Sequence, residues 1–267
     1  MPSTESLNMR LLRSVHARAI ASGMRLICAA VPRVVRAQGK FPPDSFVNLE
    51  VLPRDIEQRT LVDMMRGFTG ALGVRCQYCH VGEEGMPLDS FNFTSDEKRT
   101  KLAARLMIQM VQGINDSTLA RIPERPAPAV DATCWTCHRG VARPQPLGDL
   151  LRVALDAGGL DSAVRAYRNL RERYYGRASY DFGEGTLNGL GLSLARERRL
   201  QDAFGILDLN GAFFPGSPNV PFTRGEACLA SGDTTAARGA YRQALVADST
   251  FGPARERLRR IRPGREE

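Results

Sequence analysis

Two five-residue stretches, Cys76-Gln77-Tyr78-Cys79-His80 and Cys134-Trp135-Thr136-Cys137-His138, hold four of the six cysteines and two of the three histidines in the chain. Two thiols three positions apart on one tight turn are placed to add to the two vinyl groups of a porphyrin. The histidine directly after the second thiol then falls beneath the iron as its proximal ligand. Zinc held by two Cys-x-x-Cys knuckles is the rival chemistry. That metal does not require a histidine directly after each pair, and these pairs lie much farther apart than the knuckles of a zinc ribbon. A thioredoxin-like redox motif would need a βαβ context, which the flanking sequence lacks. A disulfide framework would need neither the fixed spacing nor the paired histidine. The motifs therefore predict two c-type hemes per chain. Thioether links fall at Cys76, Cys79, Cys134 and Cys137, and proximal iron ligands at His80 and His138.

Each iron has a sixth position. The third histidine, His16, lies in the N-terminal segment, so methionine is the natural candidate. Two pairs precede the motifs: Met64 and Met65 before the first, Met107 and Met110 before the second. A methionine on an apolar helix face is more often core filling than a ligand. Its recurrence on the segment leading into each motif favours ligation and leaves the member of each pair open. Two irons without an open site suit one-electron transfer. A peroxidase-type enzyme would need an open coordination position and polar distal groups, and no histidine remains to supply them.

These residues need elements to position them. Leu61, Met64, Met65, Phe68 and Leu72 recur at spacings of three and four, which predicts a helix over 54–73 that Gly73 stops just before the first motif. Residues 81–93 are loop-like. Thr94-Ser95-Asp96-Glu97 has the form of a capping box and predicts a long helix to about Asn115. The apolar face of that helix would carry Ala103, Leu106, Met107, Met110, Val111 and Ile114. A Pro-rich linker over 121–130 leads to the second motif, and "RPQPLGD" closes the segment near residue 148.

The second half repeats. Gly191 aligns with Gly225 and Ala203 with Ala237, both 34 positions apart, with Leu207 or Tyr241 following on the same face. That period and Pro215 resemble the tetratricopeptide repeat, a helix-turn-helix unit. The family's early Trp is absent, and Pro221 takes its place in the later copy. Residues 158–167 read as the second helix of an earlier copy, and 250–262 as an amphipathic terminal helix. A non-repeat helical bundle is the alternative.

Net charge is +8, unevenly spread: +5 over 1–37, −1 over 38–149 and +4 over 150–267. The Arg-rich start, a modest apolar stretch and Val35-Arg36-Ala37 outline a leader over 1–37. Arg25 interrupts that stretch, which is too short and charged to span a membrane. An extension that stays attached is the other reading. Without a leader's charge the chain is only mildly basic, and no basic patch interleaves with aromatics, so nucleic acid is not an expected partner. Heme attachment of this kind takes place outside the bacterial cytoplasmic membrane, which implies a periplasmic or extracellular protein. Cys28 and Cys228 lie outside both motifs.

"LVDMMRGFTGALGVRCQYCH" and "ARLMIQMVQGINDSTL" followed by "ATCWTCHRG" are similar to the cytochrome c subunit of photosynthetic reaction centres. In that family a helix bearing a methionine ligand, a turn and Cys-x-x-Cys-His build each heme site. The resemblance covers roughly residues 43–146 and implies Met65 and Met107 as sixth ligands, with Met64 and Met110 as packing neighbours. It implies electron transfer without enzymatic turnover. The family's four hemes contrast with two motifs here, so the resemblance supports a diheme module rather than a role in photosynthesis. The expected architecture is all-α: a diheme cytochrome c domain over 38–148, then a tetratricopeptide-like helical repeat domain over 149–267. The expected partners are other redox proteins. The helical repeats would serve docking, self-association or membership of a larger membrane-bound or extracellular cytochrome assembly. In the alternative reading, the chain is a heme-bearing structural subunit of such an assembly.

Overall fold

The computed structural model of the chain describes residues 40–261. The expected leader over 1–37, with His16 and Cys28, lies outside them. The described residues form nine α-helices and no strand beyond one isolated bridge between Val81 and Asn92. The all-α expectation therefore holds. In chain order the helices are α1 (Gln58–Leu72), α2 (Arg99–Gly113), α3 (Cys134–His138), α4 (Leu147–Tyr174), α5 (Glu184–Arg196), α6 (Leu200–Phe213), α7 (Asn219–Ser231), α8 (Thr234–Ala247) and α9 (Gly252–Arg260).

Gly73 ends α1 as its position in the sequence predicts. It adopts φ 66° and ψ 31°, and the Val74 amide returns to the Thr69 carbonyl at 3.1 Å. A left-handed residue followed by a six-to-one bond is the glycine-closed helix terminus. The position demands glycine a second time: a Cβ here would lie 2.0 Å from the Gly140 carbonyl oxygen.

The capping box does not form. Asn92 Oδ1 accepts from the amides of Thr94 and Ser95 at 3.2 and 3.0 Å and from the Thr94 hydroxyl at 2.9 Å. Ser95 Oγ accepts from the Glu97 amide at 3.2 Å. The side chains that would have capped a helix at residue 94 are spent on a local turn, a standing alternative for Asn, Ser and Thr. The helix instead starts at Arg99, after an uncapped Lys98.

Both buried apolar clusters lie in the second half, between Leu147 and Ala254. Gly158 (φ −154°) and Gly159 (φ 69°) break α4 into two helical segments, the later of which carries the stretch read as a second repeat helix. Gly191 of α5 abuts Leu207 of α6, where a Cβ would come 2.7 Å from its Cγ. Gly225 of α7 abuts the Tyr241 ring of α8, where a Cβ would come within 2.4 Å. Ala203 and Ala237 are fully buried. Small residues thus let each pair of helices close upon one large side chain. Tyr241 donates to Glu226 at 2.5 Å, and Arg257 donates to the same carboxylate at 2.6 Å, which fastens α9 to α7.

Between residues 40 and 146 only Leu61, Ala71 and Lys101 are buried. Roughly a hundred residues with two buried apolar side chains hold far less core than a domain of that size normally makes.

Candidate heme sites

The first motif is a 3₁₀ turn, Cys76–Tyr78, closed by the His80 amide on the Cys76 carbonyl at 3.0 Å. The N-terminal end of α2 grips it from outside. Lys98 Nζ donates to the Gln77 carbonyl, and the Thr100 hydroxyl to the Tyr78 carbonyl. One turn on, Lys101 reaches inward. Its ammonium donates to the carbonyls of Phe93 at 2.8 Å and Ser95 at 2.9 Å, and pairs with Asp96 at 3.1 Å. The Phe93 ring meets His80 edge-on at 4.8 Å between centroids.

His80 is buried away from solvent on its Nδ1 side, and that nitrogen has no hydrogen-bond partner. Burial, followed by the Lys101 cation, pushes its pKa down to about 4. The Phe93 carbonyl acts in the opposite sense, and Lys98 adds a smaller downward push. The imidazole is therefore neutral at neutral pH, the form in which it ligates a metal.

The second motif is a short helix. Thr133 and Thr136 form a reciprocal capping box around it, with the Thr133 amide donating to Thr136 Oγ1 at 3.0 Å. Asn115, just past α2, clamps its approach. The Asn115 side-chain amide donates to the Ala132 carbonyl at 2.9 Å and accepts from the Ala132 amide at 2.8 Å. His138 Nδ1 lies 2.9 Å from the Val141 carbonyl. A carbonyl only accepts, so Nδ1 carries the proton and Nε2 keeps the lone pair for a metal. Arg139 then turns the chain with φ 48°. The Gly140 amide donates to the Ala71 carbonyl of α1 at 2.8 Å, and the Ser179 hydroxyl donates to the Arg139 carbonyl at 2.6 Å.

The two motif segments interlock. The helix expected to serve the first motif, α1, is joined to the second through Gly73, Ala71 and Gly140. The helix expected to serve the second, α2, holds the first at its start and the second at its end. Met64 and Met65 are half-buried on α1. On α2 the side chains Leu106, Met107 and Met110 are 63%, 41% and 46% exposed, and Trp135 of the second motif is 53% exposed. The face predicted to be apolar therefore lies open, while the helix buries a lysine.

This arrangement fits the group that the motifs imply. Each motif sets two unbridged thiols and one histidine on a single turn. Burial pushes the Cys79 and Cys134 thiols up, so both are protonated at neutral pH. Apolar side chains that the protein does not cover itself suit a large flat apolar cofactor. No three side chains among His, Cys, Asp and Glu converge as a metal cluster among the described residues. Sequence reasoning missed Lys98, Thr100, Lys101, Asn115 and Ser179. Only Asn115 carried a signal, as an Asn at the end of a helical pattern.

Comparison with known proteins gives the family. The family model described as photosynthetic reaction centre cytochrome C subunit matches residues 8–153. Cytochrome c-554 of Chloroflexus aurantiacus is 36% identical over 92 residues, which is 34% of this chain and 20% of that protein. The photosynthetic reaction center cytochrome c subunit of Roseobacter denitrificans is 30% identical over 119 residues, 43% of this chain and 30% of that protein. Its counterpart from Thermochromatium tepidum is 34% identical over 70 residues, 26% of this chain and 14% of that protein. The chain thus spans less than a third of the length of each of these relatives. No solved structure matches the chain significantly.

Proposed function

The chain belongs to the photosynthetic reaction centre cytochrome c subunit family, and from this premise we propose that it is an electron-transfer protein carrying two covalently bound c-type hemes. Cys76 and Cys79 attach the first heme and Cys134 and Cys137 the second. His80 and His138 are the proximal ligands, and Met65 and Met107 the sixth ligands. Each heme, when bound, supplies an iron that cycles between ferric and ferrous states. The chain's part is to hold the imidazoles and thioethers in place, to exclude water and to bias the iron's charge. A thioether in place of a second imidazole favours the ferrous state.

The observation that carries this reading is the repeated motif, folded twice onto one tight turn with a histidine suited to ligation. Full coordination by His and Met leaves no position for substrate, so the function is relay rather than turnover. Donor and acceptor are other redox proteins. The chain is exported, acting in the periplasm or outside the cell. No helix among the described residues is long and apolar enough to cross a membrane. Residues 38–148 form the diheme domain, and residues 149–267 form tetratricopeptide-like repeats that dock partners or assemble with a larger cytochrome complex.

The test is to co-express the chain with a heme c maturation system, purify it and count hemes by pyridine hemochrome. Two per chain are expected. One heme, or none with bound zinc, would overturn the proposal.

A further inference from the structure

We propose that the two hemes have unequal reduction potentials and that Lys101, acting beside His80, makes the heme of the first motif the higher. The inference rests on the diheme reading above. Among the described residues Lys101 is the only charged residue buried as a whole, at 8% exposure, and the Arg105 side chain beside it is 11% exposed. Its ammonium is fixed by the Phe93 and Ser95 carbonyls, on the loop whose Phe93 ring packs against His80. Its carboxylate partner, Asp96, has a side chain 38% exposed and is shared with Arg105 at 3.0 Å. Solvent screens the anion more than the cation, so the surroundings of His80 would bring net positive charge to a heme bound there. Lys98, bonded to the Gln77 carbonyl within the motif, adds to it. Oxidation raises the iron's charge by one, so a nearby fixed cation disfavours the ferric state.

The histidines differ in the same direction. His138 donates its Nδ1 proton to the Val141 carbonyl at 2.9 Å, which raises the basicity of the ligating nitrogen and favours ferric iron. His80 Nδ1 is buried and makes no such bond, and the Phe93 carbonyl near its ring already accepts from Lys101, so the ring is the weaker donor. The nearest cation along the chain at the second motif, Arg139, is exposed and screened. With both hemes bound, the residues around the first motif would favour holding an electron and those around the second would favour releasing it.

Spectroelectrochemical titration of the holoprotein tests this, with hemes counted on the same sample. Two separated one-electron waves are expected. Lys101→Met should lower the higher wave by about tenfold in its equilibrium constant, about 59 mV for one electron, and move the lower wave much less. Lys101→Arg should leave both in place. Asp96→Asn should raise the higher wave. That opposite sign separates a charge effect from loosening of the fold, and it keeps the test alive if Lys101→Met fails to mature. Two hemes titrating as one wave, a shift confined to the lower wave, or no shift in any variant would overturn the inference. A count of one heme would instead overturn the diheme reading beneath it.

Discussion

Met65 and Met107 are assigned as ligands over Met64 and Met110 by family pattern, and single substitutions distinguish them. Met65→Ala and Met107→Ala should each remove about half of the long-wavelength absorption band of ferric thioether-ligated heme. Met64→Ala and Met110→Ala should leave that band nearly intact, and the opposite pattern would exchange the members of a pair. Asp96 is the second residue with a measurable signature. Arg105, then Lys101, with a smaller contribution from Asn48, hold its carboxyl at about 2, below the ordinary value of 3.8. The folded pKa is the depressed one, so the contribution of Asp96 is complete above pH ~4 and lost as pH falls from there towards 2. Asn48 donates to Asp96 at 2.9 Å and accepts from Arg105 at 2.9 Å, so this cluster staples the arm at residues 48–50 to α2. Amide protection in that arm, measured against the intrinsic exchange rate at each pH, should fall across this pH window, and Asp96→Asn should remove it at neutral pH already. Protection that is flat with pH would show that the ion pairs do not hold the arm.

At the scale of elements, the helix pairs α5/α6 and α7/α8 close because small residues meet large ones. Two glycines on one helix separate this packing demand from helix propensity. Gly191 has Leu207 where a Cβ would sit, whereas Gly189 is exposed with nothing within 4 Å of a Cβ. Gly191→Ala should destabilise the protein by about 1–3 kcal/mol through overpacking. Gly189→Ala should stabilise it by up to about 1 kcal/mol through lower backbone entropy in the unfolded chain. Thermal melts of the two variants should shift in opposite directions. Equal shifts would mean that α5 and α6 are not packed against each other through Gly191. The short α3 depends on its neighbours in another way. Five residues cannot sustain a helix alone. The Thr133–Thr136 box, the Asn115 clamp and the bond from Gly140 to Ala71 hold it in place.

Over the whole molecule, charge is divided between the halves, at −1 over 38–149 before any propionates and +4 over 150–267. Arg165, Arg168 and Arg173 along α4 are exposed and form no ion pair among the described residues. A basic helical surface of this kind steers acidic partners more than it binds them tightly. The holoprotein should therefore bind an acidic cytochrome several-fold more weakly in high salt than in low salt. Arg165→Glu with Arg168→Glu should remove most of that difference. Salt-independent binding would exclude the repeats as an electrostatic dock.

The proposed heme chemistry was legible in the sequence because covalent attachment needs adjacent groups. Two thiols and a histidine within five residues act as a local unit whatever surrounds them. The helices at 58–72 and 252–260 and the paired glycines of the second half were legible for a similar reason, since periodicity and small-residue spacing are local properties. The start of α2 was not. Thr94-Ser95-Asp96-Glu97 satisfies the rule for a helix cap, but Asn92 competes for the same hydrogen bonds and wins, and that outcome depends on the fold of the preceding loop. Lys101 was equally hidden. A lysine in the first turn of a helix reads as solvated, and only the Phe93–Asp96 loop folding back over it turns it into a buried cation beside His80. The sequence alone determined which residues are proposed to bind heme. The tertiary structure decided what charge and which hydrogen bonds each histidine meets, because those groups come from segments far along the chain that only folding brings together.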